Sequence, residues 1–359
     1  MGKHGQWHCH APADQPDALC ECDGFRQPRF LPDTINMSET ITFQSVLDHL
    51  LDSKKEIPHS HLQHYSDLDP KSLRLFLDVW PSVKPNRKLL LLEELLSHLN
   101  SEVLVSYEEI GMALLNDADG EVRARAIGLL AESNDPELVD TLIDIFLNDA
   151  DLAPRMESAN LLGEFVLLGE LEELDEEFQR KVEDALMSVI RSEDNPSLRK
   201  RALESLGYSS RDEMANMIES AFQRADPTWV ASSLRAMGRS HDNRWNDDVV
   251  SKLLEEDPRI RLAAAEAAGE LSIEEAGPIM LQMLEDEEED DDVISAVIWS
   301  LSQIGGDDVR IYLVHLIEQT EDEDLVAFLE DALENLDFNE ELDKFDLLSL
   351  DAENIDENE

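Results

Sequence analysis

The side chains best suited to chemistry lie early in the chain. His4, His8, Cys9, His10, Cys20 and Cys22 place six imidazole or thiol groups within the first 22 positions, and those are the usual ligands of zinc. The Cys20–Cys22 spacing is tighter than structural zinc motifs use, and the surrounding text has little apolar periodicity. Residues 1–36 therefore read as a disordered or non-native leader, with MSETITFQSVLDHLL opening an ordinary protein at Met37. A second group, His59, His61 and His64, has His-x-His-x-x-His spacing within EIPHSHLQHYSDLDP. Without an acid of defined geometry beside it, that stretch reads as a solvated loop. Eight consecutive acids, EDEEEDDD, fill 285–292. Calcium would suit carboxylates, but the twelve-residue loop with its central glycine and final glutamate is absent, so an extended, solvated run is expected. No glycine-rich phosphate loop, Gly-x-Ser-x-Gly or His-Glu-x-x-His occurs. No catalytic, metal-binding or cofactor-binding residue is assigned, and no cofactor is expected.

One pair of charged residues recurs. In DPRIRLAAAEAAGELS (257–272), Asp257 can cap a helix, Pro258 suits its first position, and Arg261 follows four residues after Asp257. Numbering Asp257 as position zero, the same place is taken by Asp119, Asp151, Asn195, Asp226, Asp290 and Asp322. Position four is Arg123, Arg155, Arg199 and Arg261, with Val230, Ile294 and Val326 departing. Position seven is mostly small, position eleven is apolar throughout, and position twelve runs Ala131, Gly163, Gly207, Gly238, Gly269, Ser302, Glu334. Successive position-twelve residues are 32, 44, 31, 31, 33 and 32 apart. A period of that regularity marks stacked helical hairpins, each burying its apolar side on the next. The long interval holds about twelve extra residues near Leu167–Glu177, either a loop on one surface or a lengthened helix.

Charge is the outlier of the composition. The chain has 82 acidic and 29 basic residues, a formal net charge of −53. Such a field repels phosphate backbones, so nucleic acid is not an expected partner. Two readings fit the acidity: solubility or adaptation to salt, and attraction of a basic protein surface. The cysteines all lie before residue 23, so no disulfide framework holds the repeats. No run of apolar residues is long enough to span a bilayer, and no secretory-type apolar core opens the chain, which makes a cytoplasmic protein without membrane contact the expectation.

The chain divides accordingly. Residues 37–99 hold N-terminal helices and a degenerate capping repeat, with helices expected at 40–53, 70–80 and 86–99 and Pro81 and Pro85 breaking the last two apart. Regular hairpins fill 100–336. Residues 337–359 form an acidic tail whose Phe338, Leu342 and later apolar residues either fold on a partner or cover the last repeat.

Paired helices of about 31 residues with Asp-Pro, Arg, small residues and Leu-Gly resemble HEAT repeats, and among them the short bacterial type found in phycobilisome lyases. NPSLRKRALESLG (195–207) and DPRIRLAAAEAAGELS (257–272) carry the likeness best. The resemblance implies an all-α fold, a right-handed α-solenoid of about seven to eight hairpins. It also implies that Asp119, Asp151 and Asp257 with Arg123, Arg155, Arg199 and Arg261 tie neighbouring units together. HEAT-like deoxyhypusine hydroxylases hold iron with His-Glu dipeptides; none of the ten histidines here is followed by glutamate.

Second helices of such solenoids usually line the concave surface. Positions six, nine and thirteen then face outward, giving Arg125 and Arg201, then Arg235 and Trp299, then Tyr208 and Arg239. Tyr208, Arg235, Arg239 and Trp299 are the candidate partner-binding residues, since tryptophan, tyrosine and arginine dominate interface energetics. The competing expectation is that Trp299 packs sideways and the arginines pair with local acids. Two functions remain: a non-catalytic scaffold engaging a protein partner, and, through the resemblance, a lyase-like subunit acting on a chromophore or modified protein.

Overall fold

The computed structural model describes residues 41–286 and 289–356, with side chains followed as far as 342. The leader at 1–36, with its histidines and cysteines, lies outside the described residues. Everything described is helix and connecting turn.

Four helices come first: α1 (Phe43–Leu51), α2 (His59–Leu62), α3 (Pro70–Val79) and α4 (Pro85–Ser101). Asp69 caps α3 by accepting from the Lys71 and Ser72 amides, and Pro70 occupies the first helical position. The expected solvated loop at 56–70 is not one. It folds as α2 followed by a 3₁₀ turn, Gln63–Tyr65, and buries Leu62, Tyr65 and most of His61. Leu62, Tyr65 and Leu68 recur every third residue, a spacing that the polar residues between them hide.

Seven helical hairpins follow. They are α5 (Glu108–Leu114) with α6 (Gly120–Gly128), α7 (Leu138–Asn148) with α8 (Leu152–Glu170), α9 (Glu176–Ile190) with α10 (Pro196–Ser205), and α11 (Glu213–Phe222) with α12 (Pro227–Arg239). Then come α13 (Asn246–Val250) with α14 (Pro258–Glu270), α15 (Gly277–Met283) with α16 (Asp291–Ile304), and α17 (Asp307–Gln319) with α18 (Glu323–Asp356). Each second helix packs on the second helices before and after it, from α4 through α6, α8, α10, α12, α14 and α16 to α18. This is an α-solenoid. The extra residues near 167–177 lengthen α8 to 19 residues and α9 to 15. At the other end α18 carries the backbone helix across residue 337, through a stretch free of proline and glycine. Asn335 and Asn339 donate to Ser302, and Arg310 pairs with Asp337 and Glu340, so this helix is tied to the last hairpins at least that far.

The recurring Asp and Arg have separate tasks. At six of the seven position-zero sites the side chain accepts from the amide two residues on, as Asp257 does from Arg259 at 3.0 Å. Asp151 makes no cap and instead receives the Arg123 guanidinium at 3.0 Å. Each arginine at position four turns back to carbonyls at the end of its own first helix or in the turn that follows it: Arg155 to Phe146 and Arg199 to Ile190, Arg123 to Asp117 and Arg261 to Glu255 and Glu256. Such carbonyls, at a helix end or in the turn beyond it, lack intrahelical partners. Three of the four arginines also reach the next hairpin's turn, where Arg123 meets Asp149, Arg155 meets Asp194 and Arg261 meets Glu289. No acid occupies that place for Arg199, whose guanidinium lies 5.6 Å from the Trp229 ring centroid instead.

Small residues set the distance between hairpins. A Cβ added to Gly207 would meet the Ala236 Cα at 2.9 Å, and one on Gly238 would meet the Ala267 Cα at 2.9 Å. Backbone thus packs on backbone, position twelve against position ten of the following unit. Replacing a helical glycine by alanine ordinarily stabilises by up to about 1 kcal/mol. Gly207→Ala is expected to do the opposite, costing about 1–3 kcal/mol through overpacking. Gly277→Ala, where the added methyl meets nothing within 4 Å, should be neutral or mildly stabilising. Urea melts of the two variants beside the parent check the contrast, and equal effects would remove the close-packing account.

Candidate functional site

The outward-facing positions of the second helices form a continuous row, and its centre is a ladder of alternating charge. Glu204 on α10 is 6 % exposed and accepts hydrogen bonds from the Ser232 hydroxyl at 2.5 Å and from Arg201 Nη1 at 3.0 Å. Arg235 on α12 stands 4.0 Å from Glu204 and donates through Nε to Glu266 on α14 at 2.8 Å. Arg239, one turn on, donates to the Glu204 carbonyl at 3.1 Å and lies 5.3 Å from the Tyr208 ring centroid. Tyr208, Arg235 and Arg239 therefore belong to one cluster whose hub is Glu204. Trp299 does not join it. It sits on α16, 41 % exposed, stacked at 6.5 Å on Phe328 of α18.

Of the sequence candidates, Arg235 is thus engaged by an acid of the next unit, Arg239 by a backbone carbonyl and the Tyr208 ring of the unit before it, and Trp299 packs sideways on the next hairpin. They remain partly accessible, and their guanidiniums are held in place by the ladder. Arg125 at the N-terminal end of the row is likewise paired, with Glu93 and Glu121. Glu204 was not singled out by sequence, although position nine reads Glu204, Arg235, Glu266 along three units, and that alternation is the signal of the ladder.

Glu270 is a half-buried acid of the row with an unpartnered oxygen. Its Oε2 has no hydrogen-bond partner among the described residues, and the side chain lies over Gly238, where an added Cβ would run into Oε2. Burial pushes its carboxyl up to about 7, with Glu266 adding to the rise and Arg239 and Arg235 opposing it. Burial also raises the Tyr208 hydroxyl, against the pull of Arg239.

Elsewhere, a cavity of about 560 Å³ beside the acidic run is lined by Glu255, Glu256, Glu285, Asp286 and Glu289, with Arg261 at its wall. Glu289 is engaged by Arg261 and Asp290 caps α16, so these two acids of the run serve the packing. Among the described residues no group of three or more His, Cys, Asp or Glu side chains could hold a metal ion. His61 stacks edge-on against His49, and His98 shares a hydrogen bond with Tyr107. No described helix is long and apolar enough to cross a membrane.

The family model for HEAT repeats matches residues 108–178 and 246–334. The chain carries HEAT repeats. The matched regions hold α5–α8 with the start of α9, and α13 to most of the last hairpin, while the intervening hairpins have the same organisation. Among solved structures, the chain is similar to the complex of CpcE and CpcF of phycocyanin lyase from Nostoc sp. PCC7120, at 19% identity and a TM-score of 0.43, covering 64% of this chain and 94% of that one. It is also similar to human deoxyhypusine hydroxylase in complex with glycerol (15% identity, 73% and 95% coverage, TM-score 0.32). A third is the karyopherin Kap121p bound to the SUMO protease Ulp1p (14% identity, 82% and 37% coverage, TM-score 0.42). No curated protein sequence matches the chain.

The half-buried Glu270 gives this HEAT-repeat chain a measurable pH dependence. With a carboxyl raised from 4.5 to about 7, the folded chain holds a proton that the unfolded chain has lost, so stability from this group falls as pH rises between those values. Glu270→Gln removes the cost of the ionised form. The variant should be more stable than the parent at about pH 8 by on the order of 1–2 kcal/mol, with the difference closing as pH falls toward 4.5. Thermal melts across that range check this, and a constant offset would show that the carboxyl is not the cause.

Proposed function

We propose that the chain is a non-catalytic protein-interaction scaffold whose second-helix row engages a partner protein. The observation that carries this reading is the ladder Glu204–Arg235–Glu266 with Arg239 over Tyr208: around the buried Glu204, the side chains of Arg235, Arg239, Tyr208 and Glu266 are set in place by contacts across three hairpins, yet still reachable from solvent. Side chains immobilised before binding lose less entropy on association, and tyrosine, tryptophan and arginine are the residues most often found at interface hot spots. Trp299, exposed and braced by Phe328, extends the same row. The acidic faces outside the row favour a partner with basic flanks, drawn in by the net charge.

Affinity capture with the intact chain from its own cells tests the reading. A partner retained by the parent should be lost with Arg239→Glu and with Trp299→Ala, each expected to cost about tenfold or more in affinity. It should be kept with Arg180→Glu, a change on an exposed first-helix side chain that pairs only locally with Glu176. Capture that survives both row substitutions and fails with Arg180→Glu would place the interface on the first helices and end this proposal.

A further inference from the structure

The charge of the chain is not spread evenly along it. Beyond Arg261 the sequence holds 32 acids and two bases, Arg310 and Lys344, leaving 50 acids and 27 bases of the chain's 82 and 29 for everything before. Arg310 is taken up by Asp337 and Glu340. The C-terminal hairpins therefore present carboxylates with almost no cations of their own to pair them.

An apolar stripe runs through that end. On α18, Phe328, Asp331, Asn335, Phe338 and Leu342 follow one another at alternating spacings of three and four residues, which places them on one face of the helix. Phe328 stacks on Trp299 and Asn335 donates to Ser302 of α16, so the stripe leads on from the second-helix row. Its far half has no cover: Phe338 is 60 % exposed and Leu342 48 %. α17 has 13 residues and α18 has 34, so α18 outruns the helix that flanks it. Asp331 sits within the stripe, Glu334 and Glu341 border it, and all three are exposed.

Charge decides what can cover such a face. A second copy brings another net charge of −53, and the segment before Ile41 carries six acids and three bases, so either would set carboxylates against carboxylates. An apolar helix stripe is complemented by the apolar stripe of another helix, and the carboxylates along its edges call for lysine or arginine opposite them. The rings of Trp299 and Phe338 add faces that attract cations.

We infer that this stripe is the docking surface for an amphipathic helix of the partner protein, apolar at three- and four-residue spacing and edged with lysine and arginine. The inference rests on the scaffold reading and deepens it: the basic part of the partner is a helix, laid along Phe338 and Leu342 at the C-terminal end of the row.

Fluorescence anisotropy with the full chain and a labelled helical peptide tests it, the peptide having leucines at three- and four-residue spacing and lysines elsewhere. A second peptide of the same composition has its leucines dispersed around the helix, so that its charge is unchanged. The first should bind about tenfold more tightly, and the double variant Phe338→Ser with Leu342→Ser should lose about tenfold, as for truncation of apolar anchors. Ile311→Ser is the matched control: Ile311 is 68 % exposed on the first helix α17, and its loss should leave binding unchanged. Both stripe residues are exposed, so circular dichroism should show an intact fold. Asp331→Lys, which keeps the apolar residues and repels the lysines, is a second probe that should also weaken binding. Equal binding of the two peptides reduces the contact to unspecific charge attraction and overturns the inference, as does binding that neither stripe change weakens. Self-association of the parent chain in sedimentation, lost with the double variant, assigns the stripe to a second copy and likewise overturns it. Should the peptides bind equally while Arg239→Glu still abolishes capture of the cellular partner, the docked helix falls and the scaffold reading stands. Discrimination between the peptides, with capture indifferent to Arg239→Glu and Trp299→Ala, keeps the stripe and ends the row as the interface.

Discussion

The approach of backbone to backbone at Gly207–Ala236 and Gly238–Ala267, with Gly163 and Gly269 against Ser205 and Ser300, is the constraint on which the rest of the structure depends. A side chain larger than these would hold consecutive second helices apart and separate the groups above and below the contact. Because the gap is closed, the residue at position thirteen of one unit lies directly over position twelve of the unit before it. Arg239 covers Gly207, Glu270 covers Gly238 and Gln303 covers Gly269. The burial of Glu270, and hence its elevated carboxyl, is a consequence of the missing side chain beneath it. The same closeness brings Glu204, Arg235 and Glu266 within ion-pair distance along the row.

The position-four arginines solve a different problem. A short hairpin repeat has many helix ends, and each end leaves carbonyls in need of donors. One guanidinium serves several at once: Arg261 satisfies two carbonyls of its own unit and both oxygens of Glu289 in the next. Where Val230 replaces the arginine, its side chain is 7 % exposed, so the unit exchanges a polar tie for buried apolar surface. The Arg199 unit shows the intermediate case, with its carbonyl contact kept and its acid replaced by the face of Trp229.

Much of this was legible because the repeat makes each position a sample of seven. Caps, arginines, the small column and the pairing of helices all follow from residues that recur at fixed spacing, and the one cap that failed, Asp151, did so because Arg123 claims it. The parts that were not legible occur once. The helix at His59–Leu62 was hidden by polar neighbours, and the continuation of α18 past residue 337 depends on the mere absence of helix breakers. The candidate site was readable as a set of outward positions, since facing follows from periodicity. Its pairing was not, because whether Arg235 meets Glu266 or solvent is set by the register between units.

The rungs of the Glu204–Arg235–Glu266 ladder have a property beyond their chemistry. Each one crosses a boundary between hairpins, so its length is a measure of the angle at that boundary. Small rigid-body rotations between stacked units are the natural deformation of a solenoid, and at these two boundaries such a rotation stretches or compresses a charged pair, the outer one of which, Arg235–Glu266, is open to solvent. The row therefore acts as a set of electrostatic springs in series, stiff in dilute buffer and softer where counterions screen them. For a molecule built this way, elasticity is tuned by ionic strength as well as by packing, and the shape that a visitor meets is written partly in the salt around it.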